Sequence, residues 1–80
     1  MYKCPCCEYL TLTEEPPGTF EICEVCGWQD DNVQAEDPSY RGGPNHVSLE
    51  EARRNFAQFR AASKEKLPRA RPPLPDEIPT

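Results

Sequence analysis

Histidine, tryptophan, methionine and glycine are scarce in this 80-residue chain, which has one His, one Trp, one Met and four Gly. Around His46 and among Gly18, Gly27, Gly42 and Gly43 no Ser/His/Asp arrangement and no phosphate-cradling glycine loop is read. No run approaches the roughly 20 apolar residues of a membrane span. No apolar segment follows Met1, so a secretory leader is not expected. Large apolar side chains are also few. Of 29 apolar residues five are Cys and six Ala, leaving 18 larger ones. That is thin for a self-sufficient core, and chains of this size are usually stapled by disulfides, a metal or a partner. An enzyme that encloses a large substrate does not fit.

What the chain does have is cysteine. Cys4, Cys6, Cys7, Cys23 and Cys26 are odd in number, which argues against a disulfide framework and for a reduced, cytoplasmic setting. Cys4 and Cys7 form one C-x2-C, Cys23 and Cys26 a second, and 15 residues separate them. This is the spacing of a four-cysteine zinc site. Each C-x2-C lets the chain turn so that two sulfurs reach one ion about 2.3 Å away, and two such knuckles complete a tetrahedron. Pro5 stiffens the first turn, and Gly27 supplies a positive φ after the second. The expected ligands are Cys4, Cys7, Cys23 and Cys26, around one zinc ion, with iron as the other candidate. A register using Cys6 in place of Cys7 remains open. Outside the ligand set, Cys6 is expected to be a passive thiol, with a redox handle as its other reading. His46 is not expected to ligate, because four cysteines already close the shell.

Tyr9–Thr13 is rich in strand formers, and Thr19–Ile22 alternates with Phe20 and Ile22 on one face. Glu14-Glu15-Pro16-Pro17-Gly18 between them reads as the turn of a hairpin. Trp28 is expected to cover the metal site, its other possible role being a partner anchor. The acids Asp30, Asp31, Glu36 and Asp37, with Asn32, do not match a calcium loop and are expected on a solvated face. Residues 29–47 read as loop. Ser48 and Glu51 make a capping box, and Leu49, Ala52, Phe56 and Phe59 share a helical face, so a helix is expected over 48–64. Its aromatic face should meet Phe20, Ile22 and Trp28. From Pro68 onward five of 13 residues are Pro, a tail that prefers extended polyproline geometry and either wraps over the domain or stays mobile.

Charge is segregated. Residues 1–40 hold one lysine against nine acids, net −8, and residues 41–80 hold eight bases against five acids, net +3. A nucleic-acid-gripping zinc ribbon normally offers a basic face, whereas here the cysteine half repels phosphate. The bases from Arg53 to Arg71 are the one positive stretch, read mainly as a solvated helix end.

Cys4-Pro5-Cys6-Cys7, Glu14 to Cys23, Cys26, Trp28, Asp30-Asp31, Asp37-Pro38, Gly42-Gly43, Asn45, Ser48-Leu49, Glu51-Ala52-Arg53 and Asn55-Phe56 together resemble the small bacterial cysteine-rich CPCC proteins over about residues 3–77. The resemblance implies a stand-alone intracellular module and no particular reaction. At the knuckles the chain is also similar to zinc ribbons and rubredoxins, but Cys7 is followed by Glu8 where those carry glycine.

The expected architecture is a small α+β metal-stapled domain: a zinc-ribbon-like hairpin with two cysteine knuckles over 2–28, a loop over 29–47, one amphipathic helix over 48–64 closing a domain at 67, and a Pro-rich tail over 68–80. The expected role is a structural zinc module that is not an enzyme and works by binding a protein, not nucleic acid or membrane. The alternatives are a rubredoxin-like iron electron carrier and a small toxin-neutralising protein.

Overall fold

A computed structural model describes residues 1–79. The chain runs through strand β1 (Tyr2–Lys3), strand β2 (Leu10–Leu12), a short helix α1 (Asn32–Glu36), the main helix α2 (Leu49–Phe59) and two 3-10 helices, Lys64–Arg69 and Pro75–Glu77. The described residues form a small α+β arrangement with one two-stranded antiparallel sheet.

The sheet is not the expected one. Leu10–Leu12 is extended, but it pairs with β1, Tyr2 opposite Leu12 and Lys3 opposite Leu10, with a bulge between. Thr19–Ile22 contributes only an isolated bridge between Ile22 and Gln29. Each cysteine knuckle thus zips its own flanks, a shorter closure than a pairing across the Pro-rich turn. Side chains reinforce the choice. The Thr13 and Glu14 amides, which a 19–22 strand would face, donate instead to the Glu21 carboxylate at 3.0 and 2.9 Å. Phe20 leaves the extended region altogether, at φ 60°.

This corrects the expected core. Phe20 and Ile22 are exposed, at 56% and 39%, and do not meet α2. Phe56 packs edge-on against Tyr9, ring centroids 6.1 Å apart. The buried cluster is Cys4, Cys6, Cys23, Val25, Cys26, Trp28, Leu49, Ala52, Phe56 and Ala62. Four of its ten members are cysteines, so the thiols occupy the place that large hydrophobes hold in a bigger domain. Trp28 is buried within it, as the sequence suggested.

Ser48 caps α2, its hydroxyl accepting from the Glu51 amide at 3.1 Å. The Glu51 carboxylate pairs with Arg41 at 3.0 Å. The helix stops at Phe59, short of the expected Lys64, because Arg60 turns left-handed (φ 66°). Arg60 is held there from two sides: its guanidinium lies 4.2 Å from the Phe56 ring centroid and donates to the Tyr9 hydroxyl at 2.9 Å. Asn55 then draws the chain back by donating to the Ala62 carbonyl.

Residues 29–47 are not simply loop, and the acidic run is not wholly solvated. Asp30 and Asp31 are buried. Asp31 caps α1, accepting from the Gln34 amide at 2.9 Å. Asp30 accepts from the Thr19 amide and hydroxyl at 2.9 and 2.8 Å, anchoring the segment before the second knuckle. Buried Gln34 and Asn45 bond to each other at 2.8 Å. Asn45 also exchanges two hydrogen bonds with the Gln29 backbone. These paired amides hold the 29–47 segment together where apolar residues are missing. Asn32, Glu36 and Asp37 are exposed.

The chain after α2, including the start of the proline-rich end, returns to the second knuckle. The Ala62 amide donates to the Cys26 carbonyl and the Arg71 amide to the Val25 carbonyl. The Glu77 carboxylate accepts from Nη1 and Nη2 of Arg71 at 2.8 and 2.9 Å.

Candidate metal centre

The two knuckles are built by one hydrogen-bond scheme. In the first, the Cys4 amide donates to the Tyr9 carbonyl and the Glu8 amide to the Cys4 carbonyl, both at 2.9 Å. In the second, the Cys23 amide donates to the Trp28 carbonyl and the Gly27 amide to the Cys23 carbonyl, both at 2.8 Å. The residue after the second cysteine is left-handed in both: Glu8 at φ 67°, Gly27 at φ 85°. Glu8 therefore adopts the turn that glycine adopts in the second knuckle, at the steric cost of a Cβ.

The knuckles face each other. The Sγ atoms of Cys4, Cys7, Cys23 and Cys26 all lie within 4.8 Å of one another. Two pairs that cross between knuckles are Cys4 to Cys26 at 3.7 Å and Cys7 to Cys23 at 3.6 Å. A tetrahedron with metal–sulfur bonds of about 2.3 Å has edges of about 3.8 Å. The four cysteines are thus positioned to bind a single metal ion. The five cysteines are free thiols. Cys4, Cys23 and Cys26 are buried and Cys7 is half-buried.

The surroundings suit thiolates. The Cys6 amide points at the Cys4 sulfur and the Trp28 amide at the Cys26 sulfur, both at 3.4 Å. The Thr11 hydroxyl donates to the Cys23 sulfur at 3.0 Å. Cys23 is held below the ordinary thiol range, chiefly by hydrogen bonds from Cys26, Cys4 and Cys7. Cys4 and Cys7 are pushed well above it, first by their hydrogen bonds to Cys23. Cys26 is raised for the same reason. A divalent ion among the four sulfurs favours their ionised forms.

A sequence model of the cysteine-rich CPCC family matches residues 2–77. The chain belongs to the cysteine-rich CPCC family. No curated protein matches it. Within the CPCC motif the division of labour is now visible. Cys4 and Cys7 send their sulfurs into the cluster, whereas Cys6 is buried in the core beside it and contributes its amide. His46 is exposed, its Nε2 3.6 Å from the Glu65 carboxylate, outside the four-sulfur group. No helix among the described residues is long and apolar enough to cross a membrane.

Sequence reasoning missed Thr11. Strand alternation sets it on the face opposite Leu10 and Leu12, but nothing in the spacing says that this face looks onto Cys23. It also missed Asp30, Gln34 and Asn45, whose roles depend on partners as many as 16 residues away.

Proposed function

We propose that this CPCC protein is a structural zinc module: Cys4, Cys7, Cys23 and Cys26 hold one zinc ion that closes the fold, and the finished surface binds a protein partner in the cytoplasm. The observation that carries the reading is the spacing of the sulfurs, whose cross-knuckle distances of 3.6 and 3.7 Å match a zinc–thiolate tetrahedron edge. A shell of four cysteines leaves no open position for substrate or water, which supports a non-catalytic role. The small core supports metal-dependent folding, with apparent binding free energies of order 10–16 kcal/mol for structural zinc in small peptides.

Metal analysis of the native protein should find one zinc per chain. Excess chelator should collapse the helical circular dichroism and the amide dispersion; a fully dispersed spectrum in chelator refutes the staple. Iron suits the same four sulfurs, and the hydrogen bonds from Cys6, Trp28 and Thr11 to them favour any thiolate-bound metal. A red preparation with a reversible redox couple establishes the electron-transfer reading instead; a colourless zinc protein removes it.

A further inference from the structure

Beside α2 lies a groove that the metal site does not use. Phe56, Phe59, Arg60, Leu67, Arg71 and Pro72 are among its lining residues, and its volume is about 230 Å³. An apolar cavity of about 150 Å³ already holds a benzene ring, so one aromatic or branched aliphatic side chain fits here. Leu67 stands 45% exposed on its wall. The groove also sits inside the one basic stretch of the chain: residues 53–71 carry seven Lys and Arg against Glu65 alone. Arg54, Arg60, Lys64 and Arg69 are exposed. Among the described residues, the salt bridge of this stretch is Arg71 with Glu77, and Arg60 is taken up by the Phe56 ring and the Tyr9 hydroxyl, so Arg54, Lys64 and Arg69 are left to face solvent.

We propose that this groove is the docking site for the protein partner, and that the partner presents an acidic segment carrying one apolar anchor. The anchor fills the space between Phe59, Leu67 and Pro72, and the flanking carboxylates meet Lys64 and Arg69, the exposed cations that flank Leu67 in the chain. Charge complementarity selects the acidic flanks, and a buried anchor within a polar rim is the usual anatomy of a peptide site. A phosphate backbone carries no apolar side chain to fill the space beside Phe59, Leu67 and Pro72, which favours peptide over nucleic acid. The proposal rests on the protein-binding reading above but needs no particular metal.

The test uses the full chain with its metal bound, and a fluorescein-labelled peptide of Glu and Gly with one central Phe. Fluorescence anisotropy should show saturable binding that weakens as salt is raised. Replacing the peptide's Phe by Ala, or its Glu by Lys, should weaken it at least about tenfold, the loss of a single anchor or of the charge match. Leu67→Glu should abolish binding, and the double change Lys64→Glu with Arg69→Glu should weaken it several-fold. Both variants must keep one metal per chain and the parent's amide dispersion, so that groove failure is separated from staple failure. Three results overturn the proposal: no binding by the metal-loaded parent, binding that survives Leu67→Glu, or tighter binding of a single-stranded DNA oligonucleotide than of the peptide. Self-association abolished by Leu67→Glu in sedimentation would assign the groove to a second copy and overturn it as well.

Discussion

The two knuckles share a backbone and differ in what lies on top of them. Both use the same pair of amide–carbonyl bonds and the same left-handed residue after the second cysteine. Over the second knuckle the chain folds back: the Ala62 and Arg71 amides bond its carbonyls, and a Cβ placed on Gly27 would sit 2.8 Å from the Lys66 Cβ. The first knuckle is more open, with Cys7 half-buried and Glu8 exposed. The comparison separates two demands on one position. Aiming amides at sulfur requires the left-handed turn, which any residue can adopt at some strain. Only where another segment packs on that turn does the missing side chain become a requirement.

The largest effect should come from breaking the shared centre. Cys26→Ser should leave the protein unfolded at ordinary temperature, because the metal's contribution exceeds what so small a core retains. Cys6→Ser should keep one metal per chain and the native amide spectrum; loss of the metal there would move the ligand set to Cys6. Next comes the position where the knuckles diverge. Gly27→Ala should destabilise by at least about 1–2 kcal/mol from the left-handed backbone alone, with a further loss from the Lys66 contact, measured by denaturant unfolding of the metal-bound protein. Thr11→Val removes the hydroxyl donor to Cys23 and should cost about 1 kcal/mol; an unchanged midpoint would mean that this bond does not stabilise the thiolate. In the opposite direction, Glu8→Gly should stabilise by about 0.5–1 kcal/mol, the relief of strain less the added freedom of the unfolded chain.

The smallest effect concerns the cover over the second knuckle. Arg71 and then the Leu74 amide hold the Glu77 carboxyl below its ordinary value of 4.5. A lowered folded-state value means that the contribution is present above pH 4.5 and is lost as pH falls through the folded value. Glu77→Gln should therefore reduce stability at neutral pH and make little difference in strong acid. Chemical shifts of Ile78 against pH, at constant metal content, would follow the release.

Part of this was legible in the residues. The C-x2-C pairs at their 15-residue separation pointed to four sulfurs that the fold does bring together. Ser48 as a helix cap and Trp28 as a core residue were also readable, because each depends on neighbours close in sequence. The hairpin was misread because alternation in Thr19–Ile22 shows what a segment is able to do and not which backbone it meets. The Glu21 carboxylate took the amides a strand would have needed. The end of α2 was misread for a related reason: Arg60 carries no helix-stopping signal, and its left-handed turn is held by Phe56 and by Tyr9, 51 residues away.

Composition and cysteine spacing alone pointed to a stapled fold and to two C-x2-C pairs as its source of sulfurs, since a knuckle is a local turn whose geometry is set within six residues; the fold decided that the Cys7 sulfur and not that of Cys6 joins the cluster. Tertiary structure alone decided which knuckle must end in glycine, where Asp30 and Asn45 are buried, and that an apolar groove opens inside the basic stretch. Those outcomes depend on distant segments arriving at the same place, and a linear pattern does not record which surfaces will touch.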